Sequence, residues 1–422
     1  MKRWATNTFR SLKGYNFRLW AAGSLVSNIG TWMQRIAQDW LVLTVLTQHS
    51  ASAVGITMGL QFAPQLLLLP LTGFAADHFD KRKLMMVTQA LMGTLALILG
   101  ALTISGMVQL WQVYAFAFLF GAVAAFDAPA RQAFVSELVG EKDLTNAVAL
   151  NSTTFNAARM IGPAVAGLVI GSVGLGWAFL LNGASYGAVL LSLFLLRVKD
   201  LHANARATRK RGSLLEGFRY VWARAELRVL LVMLGLIGTF GLNFGIYTSV
   251  MAVKVFHVGA SGYGLLSSMM ALGTVSGALI VASWERPRFP YLLASAALFG
   301  LGCIFGALAP DYWLFGAALA LTGVSVLMFL NASNGLMQLT TEPSMRGRVL
   351  AIRMAITLGG VPLGAPIVGW VADHFGPRWA IGVGAAAGLT AALIGLIYLR
   401  RSRLPATVEG QALTETGSRE PG

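Results

Sequence analysis

Few residues in this chain have types and spacing suited to chemistry, and the first group forms a single stripe. Asn28, Trp32, Arg35 and Asp39 follow at steps of four, three and four, the spacing that stacks side chains on one face of an α-helix. A carboxyl group moving between an apolar surrounding and the neighbourhood of a guanidinium changes its hold on a proton. Asp39, with Arg35 one turn away, is therefore the candidate for reversible proton uptake. The same spacing equally builds a permanent structural bridge. Asp127 and Arg131 make a second i, i+4 pair, interrupted by Pro129, and Arg159 stands near the middle of another apolar run with Asn151 and Asn156 on or near its face. An arginine so placed can attract an anionic group, draw the Asp39 carboxylate, or bridge packed helices. Arg353 lies a short way into its own run and can snorkel to an interface.

Other chemistries lack their residues. The sequence has no G-x-x-x-x-G-K-[ST] phosphate loop and no H-E-x-x-H zinc site, and its five histidines are scattered, which argues against ATP hydrolysis and metal catalysis. Cys303 is the single cysteine, so no intrachain disulfide or cysteine metal site can form. We expect no enzyme activity, no cofactor and no metal.

The elements that must hold these residues follow from composition. Hydrophobic residues make up 56% of the 422 and charged ones only 12%, beyond what a soluble core can absorb. Runs of about 20 apolar residues recur along nearly the whole chain. A β-barrel would need alternating segments, whereas LMMVTQALMGTLALILGALTI is apolar all round. The basic N-terminus precedes an apolar segment too long for a signal h-region and without a cleavage site. Twelve spans are expected, starting near Phe17, Ser52, Leu84, Gln109, Leu144, Gly176, Leu227, Ser261, Phe289, Tyr312, Val349 and Arg378.

With the N-terminus placed inside, inner segments hold 27 of the 32 Lys and Arg residues; outer loops hold only Lys254 and Arg378, and Arg35, Arg159 and Arg353 lie within spans. That asymmetry predicts both termini on the cytoplasmic side. The net charge of +15 is then a topology signal and an attraction to anionic lipid headgroups rather than a nucleic-acid footprint. The expected organisation is an all-α membrane protein of two six-helix bundles, 1–196 and 226–401, joined by a basic cytoplasmic linker, 197–225, and followed by a disordered tail, 402–422.

An internal repeat supports two equal halves. Gly167, Gly174 and Trp177 align with Gly369, Gly376 and Trp379 at an offset of 202, and Gly55 aligns with Gly264 at 209. The tetrapeptide ADHF also occurs twice, within GFAADHFDKRK and GWVADHFGPRW, but its copies are 296 positions apart and fall on opposite sides of the membrane. They are not repeat equivalents, and only the first has a basic flank.

With these features the chain resembles the major facilitator superfamily over essentially its whole length. GFAADHFDKRK, with Gly73, Asp77, Lys81, Arg82 and Lys83, is similar to that family's signature loop, with Asp80 in place of the second glycine. By resemblance the loop is a gating latch that includes Arg131, in which Asp77 pairs with arginines when the cytoplasmic side closes. GPAVAG in the fifth span resembles the motif of proton-antiporting exporters, with Ala166 where a glycine is usual; Gly162, Pro163 and Gly167 would form a hinge or seal there, or ordinary small-residue packing. SNIGTWMQRIAQDWLVL, DAPARQAFVSELV and RGRVLAI are similar to bacterial drug or siderophore exporters of the group that includes the enterobactin exporter. In the superfamily, spans one, four, seven and ten line the central cavity. The positions carried over are Asn28, Trp32, Asp127, Asn243, Tyr247, Asn331 and Asn334, to which Arg159 is added as an anion-attracting residue.

The resemblance implies a proton-coupled exporter of small amphiphilic molecules, powered by the proton gradient and working by alternating access in a bacterial inner membrane. Its partners would be a small-molecule substrate and membrane lipids, with no nucleic acid, and it would function as a monomer. The alternative is an uptake symporter or facilitator of the same fold.

Overall fold

The structure, a computed structural model, describes residues 9–202, 214–284 and 287–403. Every regular element among these residues is helical. In chain order they are α1 (Tyr15–Trp40), α2 (Ala51–Leu67), α3 (Leu69–His78), α4 (Lys81–Ile104), α5 (Leu110–Leu138), α6 (Glu141–Ser172), α7 (Leu175–Phe194), α8 (Leu214–Ala223), α9 (Ala225–Leu236), α10 (Phe244–Val250), α11 (Ala260–Ala282), α12 (Phe289–Leu308), α13 (Tyr312–Thr340), α14 (Arg346–His374) and α15 (Pro377–Arg403). The expected span starts fall close to helix starts, the largest gaps being Leu84 against Lys81, Leu144 against Glu141 and Val349 against Arg346.

Local chemistry sets these ends. The carboxylate of Asp311 accepts from the N–H of Trp313 (2.9 Å) and of Leu314 (3.0 Å) at the start of α13. That of Asp80 accepts from Lys83 N–H (2.8 Å) at α4, so both helices begin on an acidic cap. Where no cap is needed the helix simply continues in a wider turn, as α1 does over Leu41–Leu46.

Among the described residues ten helical segments are long and apolar enough to cross a membrane, which makes this a multi-pass membrane protein. Two expected spans fall outside that set for physical reasons. Helix α1 carries the polar residues Asn28, Gln34, Arg35, Gln38 and Asp39. The second span breaks at Leu68 (φ −93°, ψ 2°), between Pro64 and Pro70, into pieces of 17 and 10 residues. Proline supplies no N–H and breaks the helical ladder.

Helices α1 to α7 pack among themselves, as do α9 to α15; the two most extensive contacts between the sets are α2 on α14 and α6 on α11, with lesser ones of α10 on α1 and α2. The sequence repeat has a direct counterpart in these two crossings. A Cβ on Gly55 would strike the carbonyl of Ala365, and one on Gly264 the carbonyl of Pro163. Likewise a Cβ on Gly369 would lie 2.9 Å from Ser52 Cα, and one on Gly167 2.7 Å from Ser261 Cα. Offsets of 209 and 202 carry each contact onto its partner, so the two crossings are copies related by a pseudo-two-fold axis. Only glycine lets the backbones approach this closely.

The cross-set contacts gather toward the end that holds residues 50–52 and 369–373, called here the far end. At the near end, where α1 begins, polar ties stay within one set. Ser11 Oγ donates to Asn146 (2.8 Å) and Lys81 pairs with Glu137 (2.6 Å) in the first set, while Arg348 pairs with Glu216 (3.1 Å) in the second. Glu216 belongs to α8, a short helix inside the stretch expected to be linker, and Gly217 of α8 seats it on Arg348 of α14. Residues 203–213 of that linker and 404–422 of the expected tail lie outside the described residues; the helix α15 itself runs to Arg403.

Candidate functional site

Asp39 sits near the far end of α1, 8% exposed. The expected ion pair with Arg35 is not formed. The Asp39 carboxylate instead accepts a hydrogen bond from the Tyr263 hydroxyl on α11 (3.0 Å), across the boundary between the two sets. Trp40 stacks on the Tyr263 ring, with centroids 6.1 Å apart and planes 20° apart, which orients the phenol. Gly245 closes the other side, where a Cβ would stand 3.0 Å from the carboxylate. One acid of α1 is thus held by two helices of the opposite set.

Arg35 turns the other way, toward Trp32. Its guanidinium carbon lies 4.7 Å from the Trp32 ring centroid and 5.6 Å from that of Phe62, and the guanidinium of Arg159 lies 5.3 Å from the same indole. Phe155 meets Trp32 edge-on at 5.9 Å. Placing an arginine at a helix centre in the membrane costs roughly 2.5–3.5 kcal/mol. A cation–π contact returns about 2 kcal/mol or more when desolvated, but it uses none of the N–H donors. The Arg35 Nε is buried with no hydrogen-bond partner. The α1 and α6 stripes therefore meet as two cations sharing one indole, with their nearest acid engaged elsewhere.

The other expected cavity residues divide. Asp127 accepts from Thr88 (2.7 Å), Gln89 (2.8 Å) and Arg131 (3.0 Å), so it and Arg131 tie α5 to α4 rather than face an open cavity. Asn243 Nδ2 donates to the Thr239 carbonyl (2.8 Å), and the Tyr247 hydroxyl donates to the Phe240 carbonyl. Both serve carbonyls in the wide turn Ile237–Gly241, just before the helix breaks at Leu242 and Asn243, and both are buried. Asn28 and Asn334 are half-buried and Asn331 is exposed. Arg353 does not reach an interface by snorkelling: its guanidinium donates to the Leu330 carbonyl (2.8 Å).

The motif residues have mechanical settings. A Cβ on Gly162 would lie 2.5 Å from Trp32 Cβ, so Gly162 lets α6 cross α1 directly behind the two-arginine cluster. Pro163 and Gly167 sit at the crossing with α11 described above. In the signature loop, Lys81 pairs with Glu137 and Arg82 donates to the Leu193 carbonyl (2.8 Å). The Lys83 backbone N–H completes the Asp80 cap. A Cβ on Gly73 would meet nothing within 4 Å, so no close helix approach is made at it in this arrangement. The Asp77 side chain lies outside the described residues.

Sequence reasoning missed the far-end clasp. Asp373, in the second ADHF, accepts from the backbone N–H of Ala51 (2.8 Å) and of Ser52 (2.8 Å), from the Ser50 hydroxyl (3.1 Å) and from Lys254 (3.0 Å). An acid at the end of α14 thereby caps the first turn of α2 in the opposite set, where the helix dipole favours negative charge. The available signal is an aspartate closing an apolar run, in a tetrapeptide that is not a repeat equivalent. Tyr263 had no signal beyond being a tyrosine in an apolar run.

A family model described as transmembrane secretion effector matches residues 6–418. The Staphyloferrin A transporter of Staphylococcus aureus (strain NCTC 8325 / PS 47) is 28% identical over 361 residues, 84% of this chain and 89% of that protein. The Enterobactin exporter EntS of Escherichia coli O1:K1 / APEC is 26% identical over 370 residues, 83% of each. Among solved structures, a POT family transporter in complex with a thioalcohol-conjugated peptide superposes with a TM-score of 0.73 at 12% identity, covering 94% of this chain and 99% of that one. An inward-facing, occupied bacterial homolog of the human lysosomal transporter Spinster gives 0.72 at 13%, covering 92% and 97%.

Proposed function

The chain belongs to the transmembrane secretion effector family of the major facilitator superfamily, whose members are transporters rather than enzymes, and from that membership we propose a proton-coupled exporter of small amphiphilic, siderophore-like molecules. The relatives named for siderophore transport and export support the cargo class. The observation that carries the mechanism is the Asp39–Tyr263 hydrogen bond across the two sets. In the closed far end the carboxyl of Asp39 is withdrawn from water, which favours its protonated form, and opening that end returns it to water, which favours the carboxylate. Closing the far end and protonating Asp39 therefore favour each other, so that a proton taken up from the open far side promotes the closure that carries it inward, a linkage an antiporter can use.

In this reading α1 with its Leu41–Leu46 turn, and α2 with α3, complete twelve crossings in two six-helix bundles, 1–196 and 226–401. The near end is cytoplasmic, as the positive-charge asymmetry favours, and the membrane is a bacterial inner membrane. The far-end contacts of α2 with α14 and α6 with α11 then close the outer side while the cavity near Trp32, Asn28, Asn331 and Asn334 opens inward, ready to load cargo. The chain works as a monomer without a cofactor, driven by the proton gradient, and Gly73, Asp77 and Arg131 come together when the inner side closes.

The test is cargo accumulation in inverted vesicles. An uncoupler should collapse it, and accumulation that persists without a proton gradient sinks the coupling. The direction has a competing reading with its own support, since Gly162 and Gly167 are accounted for by helix crossings alone. A deletion strain that gains resistance to a toxic cargo instead of losing it would establish uptake.

A further inference from the structure

We propose that Arg35 and Arg159 form an anion clamp on Trp32 that binds the carboxylate of an aromatic, amphiphilic cargo. The inference rests on the transporter reading and names the substrate class of its cavity.

Neither arginine has an acid partner among the described residues. The ion pairs present engage Arg10, Lys81, Arg131, Arg224, Lys254 and Arg348, and Arg353 and Arg378 donate to carbonyls at 2.8 Å. Arg35 and Arg159 instead share the Trp32 ring at 4.7 and 5.3 Å. Asp39, one turn from Arg35, is held by Tyr263. Two like charges converging on one indole repel each other, and a guanidinium presents five donors in a planar fork matched to a carboxylate. An anion taken up between them supplies both missing acceptors.

The setting also selects the body of that anion. Phe62 flanks Arg35 at 5.6 Å and Phe155 flanks Trp32 at 5.9 Å. Phe155 is 47% exposed, so an aromatic edge stands at the rim where an incoming ring can pack. Gly162 fixes the α1–α6 crossing behind Trp32, which holds the two guanidiniums on elements that move together in the first bundle. The clamp therefore stays assembled as the bundles rock, and its anion travels with it.

The test is equilibrium binding of tritiated 1-naphthoate to the purified full chain, with unlabelled 1-naphthoate and its neutral amide, 1-naphthamide, as competitors. Saturable binding is expected, weakened by salt, with the amide competing about tenfold or more less well than the acid. Arg35→Gln and Arg159→Gln should each weaken binding about tenfold or more, Arg159→Lys less, while Arg378→Gln leaves it unchanged. Absence of saturable binding, equal competition by acid and amide, or undiminished binding in the Arg35→Gln/Arg159→Gln double variant would overturn the clamp. Should the variants fail to fold, the acid-against-amide comparison on the unmodified chain decides. Uncoupler-sensitive efflux is read separately: efflux without naphthoate binding removes the clamp alone, and binding without efflux removes the exporter reading alone.

Discussion

Replacing Asp373 with alanine removes the clasp that holds α2 to the opposite set. The carboxylate caps the first turn of α2 through two backbone N–H groups and pairs with Lys254. Loss of such a cap costs about 0.5–2 kcal/mol. The Lys254 pair, with side chains 28% and 20% exposed, adds up to about 1 kcal/mol after screening by solvent. A net change of about 1–2 kcal/mol shifts the ratio of far-closed to far-open molecules by roughly 5–30-fold. Pulsed electron–electron resonance between labels at Met107→Cys and Trp313→Cys, with Cys303→Ser, reads that ratio. Both label sites are surface residues, 67% and 65% exposed, on loops or helix starts of different sets at the far end. Asp373→Ala should transfer population to longer distances. Lys254→Met should do so less, because it leaves the cap intact. An unchanged distribution in Asp373→Ala would refute the clasp, and an equal shift in Lys254→Met would refute the assignment of its strength to the cap.

Asp39→Asn should abolish uncoupler-sensitive accumulation in inverted vesicles; full accumulation in that variant removes Asp39 from coupling. Gly264→Val should hold the crossing with Pro163 apart, because even a Cβ strikes a backbone carbonyl there, and maleimide labelling of Ser268→Cys would rise; labelling equal to that in the parent chain contradicts the close approach. Gly73→Val should leave the melting temperature of the purified protein unchanged, since the site is open in this arrangement, yet lose transport when the inner side can no longer close. Retained transport would show that the loop needs no close approach. Reporter fusions should give an even number of crossings with the 203–213 stretch inside, and an odd number would end the two-bundle account.

The helices were legible because apolar run length and charge asymmetry are local properties of the chain. The repeat was legible too, since Gly55 and Gly264, or Gly167 and Gly369, mark places where only the absence of a Cβ lets helices cross. What the sequence could not show was which polar residues meet. The i, i+4 spacing placed Arg35 beside Asp39, but the choice between that pair and Tyr263 depends on a helix more than 200 positions away. Asn243 and Tyr247 fell in a span expected to line a cavity, and no spacing rule foresaw that a broken helix would claim both for its own carbonyls. Asp373 was hidden by the same logic: its partners are backbone N–H groups, which carry no signature in the letters. The reverse held for Arg159, whose isolation in an apolar run was visible from composition alone.

The most direct test places two label pairs in the same chain background, Met107 with Trp313 at the far end and Val198 with Leu339 at the near end, and follows both as the far end is loosened by Asp373→Ala. Two bundles pivoting about a common cavity predict opposite movements, the near-end distance shortening as the far-end distance grows. Movements of the same sign, or a near end that ignores the far end, would contradict it.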